Sequence, residues 1–205
     1  MKLVDKLQQY TQELEQEYFQ IPEERKQLLE QLSAYISQKV RQQEPVQLNF
    51  ICTHNSRRSH LAQLWALAAA AYYEVAGVHC FSGGTEATAF NIRSVEAMRA
   101  AGFLIEEKEA GNNPLYEVQY AAQTAPVLAW SKAFGDPANP TSGFCAILVC
   151  SDADENCPFV PGVEFRMSIT YNDPKNFDDT PEEAHKYAER VRQIGREMLY
   201  VFSKV

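Results

Sequence analysis

A cysteine at position 52 and an arginine at position 58 enclose Thr53, His54, Asn55, Ser56 and Arg57, and Ser59 follows directly. A thiol and a guanidinium six residues apart, wrapped in small and polar residues, describe a loop that holds an oxyanion against a nucleophile. Arg58 is permanently charged, and its planar fork matches two oxygens of a tetrahedral anion. Cys52 attacks as the thiolate, the reactive form of the side chain. Ser59 can cap a helix or donate to the Cys52 sulfur. Asn55 tolerates left-handed backbone angles and can stitch the loop together. Thr53, His54, Asn55, Ser56, Arg57 and Arg58 are the expected substrate-binding residues. Arg57 adds positive charge beside the key arginine.

Such a loop needs a strand before it and a helix after it, so that backbone N–H groups and the positive helix end face the anion. The apolar run 46–51 reads as a short buried strand. Residues 60–74, with Leu61, Leu64, Trp65, Leu67, Ala68 and Tyr72, read as an amphipathic helix. Further strands are expected at 78–82, 144–149 and about 164–169. A helix over 92–101 is stopped by Gly102. Residues 115–120 and 127–134 read as strand-like pieces, and 135–143 as a turn-rich loop. The final helix has a capping box, Thr180 to Glu183, and a buried stripe of Tyr187, Val191, Ile194, Met198 and Phe202. These elements predict an α/β fold of three layers, a four-stranded parallel sheet with helices on both faces and the ligand at the carboxyl ends of the strands.

Residues 1–45 predict an additional helical hairpin. Its first helix carries Leu3, Leu7, Tyr10, Leu14 and Tyr18. Its second starts at Pro22 and carries Leu28, Leu32, Tyr35, Ile36 and Val40. Two lone helices are marginal, so the pair must pack on the main domain or, in the alternative, on a second copy as a homodimer. The expected division is 1–45 as extension and 46–205 as main domain.

The second half narrows the chemistry. The strand at 144–149 runs into Cys150; Cys157 follows seven residues later with Pro158 after it, and Tyr171-Asn172-Asp173-Pro174 comes next. Loop, cysteine pair and Asp-Pro in that order resemble the low-molecular-weight protein tyrosine phosphatase superfamily, and within it the thioredoxin-coupled arsenate reductases, over roughly residues 46–205. The resemblance implies a low-molecular-weight phosphatase-like fold and the catalytic set Cys52, Arg58, Ser59, Cys150, Cys157 and Asp173. It implies that Cys52 attacks arsenate with Asp173 as general acid. Cys150 then attacks the Cys52 adduct, Cys157 resolves the disulfide to Cys150–Cys157, and thioredoxin reduces that bond. The alternative is a phosphatase acting on phosphotyrosine or small phosphomonoesters through a cysteinyl-phosphate. A third reading is a non-enzymatic oxyanion or thiol sensor. Arg57 stands where many members carry a second cysteine. An inserted hairpin is expected where the family has a helix and short loop.

Composition agrees. A chain of 205 residues can bury a real core, and a net charge of −8 argues against nucleic-acid binding. No apolar stretch approaches a membrane span, and the N-terminus lacks a signal-peptide core. Five cysteines, at 52, 80, 145, 150 and 157, favour a reducing, cytoplasmic setting. No metal or cofactor is expected, because Cys145, Cys150 and Cys157 lack C-x2-C spacing and a neighbouring histidine. Cys80 and Cys145 lie in apolar strands and read as core, His54 and His60 as structural. Cys150 could instead be a buried strand-end residue. Asp136-Pro137 sits in a turn-rich stretch and needs no catalytic explanation.

Overall fold

The computed structural model describes residues 2–156 and 160–205. Helices α1 (Asp5–Glu15) and α2 (Glu23–Arg41) precede strand β1 (Val46–Cys52) and helix α3 (Arg58–Tyr72). Strand β2 (Val78–Gly84) and helix α4 (Ile92–Ala101) follow. Strands β3 (Leu104–Glu109), β4 (Leu115–Gln119) and β5 (Val127–Ala129) come next. The chain closes with β6 (Phe144–Leu148), α5 (Ser151–Asn156), β7 (Val163–Ser168), a single helical turn (Pro174–Phe177) and α6 (Glu183–Phe202).

The main sheet is parallel with strand order β2-β1-β6-β7. β1 pairs with β2 from Val46 opposite Val78 to Cys52 opposite Gly84. On its other side Leu48 lies opposite Cys145 and Ile51 opposite Leu148. Alternation along each strand feeds two faces. Leu48 and Phe50 of β1, with Cys145 and Ile147 of β6, enter the large core with the helices. Ile51, Phe144, Ala146 and Leu148 form a smaller cluster on the opposite face with Phe134, Val160 and Val163. Helices were expected on both faces. Among the described residues this second cluster draws no residue from a helix; Phe134 and Val160 pack there. Gly83 permits that approach: a Cβ on it would stand 2.3 Å from the Phe134 Cα.

Helix α3 is not amphipathic. Every residue from Arg58 to Ala70 is buried, since α6 and α1 cover the side turned away from the sheet. Its alanines let them close in. Tyr10 packs at 5.9 Å on Trp65, and a Cβ on Gly195 of α6 would meet the Trp65 ring at 2.7 Å and Leu14 at 2.8 Å. The N-terminal helices therefore pack on the main domain. Leu7, Leu14, Leu29, Leu32 and Ile36 are fully buried in the shared core. The face of α2 is rotated from the expected one: Leu29, Ser33 and Lys39 are buried, while Leu28 is half-buried and Val40 exposed. The Ser33 hydroxyl donates to the Val201 carbonyl at 2.9 Å, and Lys39 pairs with Glu44 and Glu164, which makes a polar side of the helix buriable.

The expected hairpin at 115–134 is part of an antiparallel sheet of order β3-β4-β5, to which β3 adds an unexpected strand. Gly102 ends α4 in the left-handed conformation at φ 109°, as a helix-stopping glycine does. The capping box is displaced. α6 begins at Glu183, the Thr180 hydroxyl accepts from the Glu182 N–H, and the Glu183 carboxylate accepts from the Asp179 N–H at 2.6 Å. Among the described residues no helix is long and apolar enough to cross a membrane.

Candidate active site

The site forms where β1, β6 and β7 end. Cys52 is the last residue of β1, nearly buried, and α3 starts six residues later at Arg58. The chain between reverses through Asn55 at φ 43°. Asn55 then ties the loop internally. Its Nδ2 donates to Ser59 Oγ at 2.8 Å, and Ser59 Oγ lies 3.1 Å from Cys52 Sγ. Ser59 thus contacts the Cys52 sulfur and makes no helix cap. Thr85 and Glu86 donate their backbone N–H groups to the carbonyls of Cys52 and Thr53, at 3.1 and 2.8 Å. A Cβ on Gly84 would meet Glu86 O at 2.3 Å and Asn55 N and Thr53 O at 2.7 Å, so that close approach requires glycine.

The neighbouring strand brings the second thiol. Val149 N donates to Ile51 O at 2.8 Å, so Cys150 leaves β6 beside the start of the loop. Its Sγ lies 3.5 Å from Thr53 Oγ1 and accepts the Ala153 N–H of the following helical turn at 3.3 Å. Tyr171 N donates to Val149 O, which carries the chain after β7 across the same edge. Asp173 arrives there and pairs with Arg58, Oδ2 to Nη2, at 2.7 Å. Arg58 Nη1 also donates to the Tyr171 carbonyl at 3.1 Å. A cleft of about 380 Å³ opens above, lined among others by Thr53, His54, Arg58, Ser151, Asp173 and Lys175. The structure therefore gathers Cys52, Arg58, Ser59, Cys150 and Asp173 at one edge. Cys157 lies outside the described residues.

The remaining residues fall into two groups. His54 lines the cleft, with Nε2 3.9 Å from Glu86. Ser56 is buried, and its carbonyl accepts from the Asn91 N–H. Arg57 does not line the cleft. Its Nε donates to the Tyr187 hydroxyl at 2.8 Å and lies 3.9 Å from Asp173 Oδ1, and its Nη2 donates to Asp178 at 3.3 Å. His60 stacks on Phe90 at 4.1 Å and is wholly buried, which lowers its pKa well below the usual histidine value. Burial raises the thiol pKa of Cys80 and of Cys145, keeping both protonated in the core. Among the described residues no group of three or more His, Cys, Asp or Glu side chains could hold a metal ion.

Sequence reasoning did not assign Ser131, Lys132, Asp178 or Tyr187 to the site's framework. Ser131 Oγ donates to His54 O at 2.9 Å and accepts from Thr88 N at 2.8 Å. The Lys132 N–H donates to Asn55 Oδ1 at 2.8 Å. Lys132 itself is buried against Trp130, and desolvation lowers its pKa to about 8, with Asp136 opposing. Only strand-like hydrophobicity marks 127–134 in the sequence, and nothing there points to the loop.

A four-stranded parallel sheet with a cysteine–arginine loop at its carboxyl end defines an α/β enzyme of the low-molecular-weight phosphatase fold. The low-molecular-weight protein tyrosine phosphatase of T. tengcongensis superposes with a TM-score of 0.52 over 78% of this chain and 99% of that one, at 12% identity. A Vibrio cholerae phosphatase of the same type gives 0.50 over 77% and 95%, at 11% identity. In sequence, the chain is 31% identical to the arsenate reductase of Bacillus licheniformis over 147 residues, 71% of this chain and 87% of that protein. It is 27% identical to the arsenate reductase of Bacillus subtilis over 73% of this chain and 89% of that protein. No family model matches. The chain belongs to the arsenate reductase family.

Proposed function

We propose that the protein reduces arsenate to arsenite through a three-cysteine relay regenerated by thioredoxin. The observation that carries this reading is Cys150, delivered by the strand next to the one that ends in Cys52, with its sulfur 3.5 Å from the Thr53 hydroxyl at the start of the loop. A phosphatase needs no second thiol there. The family membership points the same way.

In this mechanism arsenate takes the Arg58 fork and the loop N–H groups. The Cys52 thiolate attacks arsenic(V), and one arsenate oxygen leaves as water with a proton from Asp173. The Cys150 thiolate then attacks Cys52 Sγ. An S–S bond forms, the S–As bond breaks, and its electron pair stays on arsenic, which departs as arsenite. Cys157 attacks the Cys150 sulfur, freeing Cys52 and leaving a Cys150–Cys157 disulfide. A thioredoxin dithiol reduces that disulfide by exchange. The Ala153 N–H directed at the Cys150 sulfur suits a thiolate acceptor. Asp173 occupies the Arg58 fork in the described arrangement, so oxyanion binding must release it, freeing the carboxyl to act at the mouth of the loop.

Replacing Cys150 with serine tests the reading. Arsenate reduction is expected to stop, while hydrolysis of an aryl phosphate, if the wild type has it, survives. Arsenate reduction unimpaired in Cys150→Ser would overturn the relay. A wild type that hydrolyses aryl phosphate and leaves arsenate unreduced would favour the cysteinyl-phosphate alternative.

A further inference from the structure

The helical turn Pro174–Phe177 is held at both ends by adjacent residues of the nucleophile loop. At its start, Asp173 caps the turn by accepting the Lys175 N–H at 3.0 Å and pairs with Arg58 at 2.7 Å. At its end stands Asp178. One of its oxygens meets Arg57 at 3.3 Å and the other accepts from the Tyr187 hydroxyl at 2.8 Å, while that hydroxyl accepts from Arg57 Nε at 2.8 Å. Arg57, Tyr187 and Asp178 close a three-membered ring of hydrogen bonds. The ring is deep: Tyr187 is 1% exposed and the Arg57 side chain 10%.

The two arginines cannot play the same part. Arg58 lines the cleft, and its partner Asp173 must let go when an oxyanion takes the fork. Arg57 is not among the residues lining the cleft; its hydrogen bonds go to Tyr187 and Asp178, and it reaches Asp173 only at 3.9 Å, so an oxyanion held by Arg58 leaves those two bonds in place. Arg93 reinforces the same corner, with Nε 2.7 Å from Glu183 and Nη2 2.6 Å from Asp179. We propose that Arg57 is a positioning residue: through Asp178 and Tyr187 it clamps the turn that carries Asp173 to the nucleophile loop. The acid therefore stays at the loop mouth after substrate has displaced it from Arg58. This rests on the acid role proposed for Asp173.

The test compares Arg57→Gln, Asp178→Asn and Tyr187→Phe with the full-length wild type. Three readouts are taken: turnover of whichever substrate the wild type processes, protection of Cys52 from alkylation by inorganic phosphate, and hydrogen exchange of backbone amides 175–179. Arg57→Gln is expected to lower kcat about 10- to 100-fold, the scale of a misplaced catalytic group. Phosphate protection stays close to wild type, and exchange at 175–179 speeds up. Asp178→Asn reproduces the loss, and the double variant is no worse than either single one. Tyr187→Phe removes one hydroxyl, so it keeps the clamp interpretable if Arg57→Gln fails to fold. It shifts kcat and exchange in the same direction by less. Weakened phosphate protection matching the loss of rate would make Arg57 an oxyanion ligand and overturn the proposal. So would a lowered Tm with kcat and exchange unchanged. If the wild type turns over neither substrate, the proposed function falls, and exchange at 175–179 alone decides the clamp.

Discussion

The two sheets of this protein contribute to one site in different ways. The central strands β1 and β6 of the parallel sheet are buried, and the ends of its strands bring in the groups proposed to react: Cys52 from β1, Cys150 after β6, Asp173 after β7. The antiparallel sheet is half exposed, with Leu104 and Leu128 open to solvent, and it delivers no group to the cleft. Yet the chain leaving β5 supplies Ser131 and Lys132, which hydrogen-bond the back of the nucleophile loop at His54 and Asn55. The first sheet places the chemistry. The second braces the loop proposed to perform it, through the Ser131 hydroxyl and the Lys132 backbone N–H.

That contrast can be broken where the sheets meet. Gly84 ends β2, forms a bridge to Ala133, and lies against the loop backbone at Thr53 and Asn55 and against Glu86 O. Gly84→Ala is expected to cost about 3 kcal/mol or more, since backbone rather than flexible side chains must shift. Turnover should fall with it, measured by denaturant unfolding alongside activity. Wild-type stability with full turnover would show that the loop does not depend on this contact.

Lys132 gives a slightly smaller and pH-dependent effect. Its folded-state pKa, about 8, lies below the usual lysine value. Below about pH 8 both states carry the proton, and the folded state bears the whole desolvation cost, about 3 kcal/mol. Between about pH 8 and 10.5 the unfolded chain still holds a proton that the folded chain has released, so stability rises with pH. Lys132→Met should be more stable than wild type at pH 7 and lack that rise. Parallel stability curves for the two proteins across this window would place the ammonium in water.

Ser131→Ala tests the brace most gently. It removes one donor and one acceptor that hold His54 O and Thr88 N, and a loss of about 1–2 kcal/mol is expected, with kcat reduced. Gln38→Ala, at an exposed position of α2, supplies the control and should fall within about 0.5 kcal/mol of wild type.

What could be read from the sequence divides along the same line. β1, β6 and the loop were legible because a short apolar run ending in Cys52 or Cys150 has few other meanings in this context. Gly102 was legible because only a residue free to adopt a left-handed backbone stops a helix so cleanly. β3 was not, because its sequence Leu-Ile-Glu-Glu-Lys-Glu is charged; it is held by ladder hydrogen bonds to β4 with one residue of six buried. Helix α3 misled as amphipathic because the helices that cover its outer face come from residues 5–15 and 183–202. Arg57 looked like an oxyanion ligand by its place in the loop. Its partners Asp178 and Tyr187 are 121 and 130 residues away, and no local spacing reveals them.

The most direct test of the central claim is a thiol count on the fully reduced protein before and after arsenate, with no reductase present. The relay predicts the loss of two thiols per chain and a disulfide mapping to Cys150 and Cys157. An unchanged thiol count would contradict it.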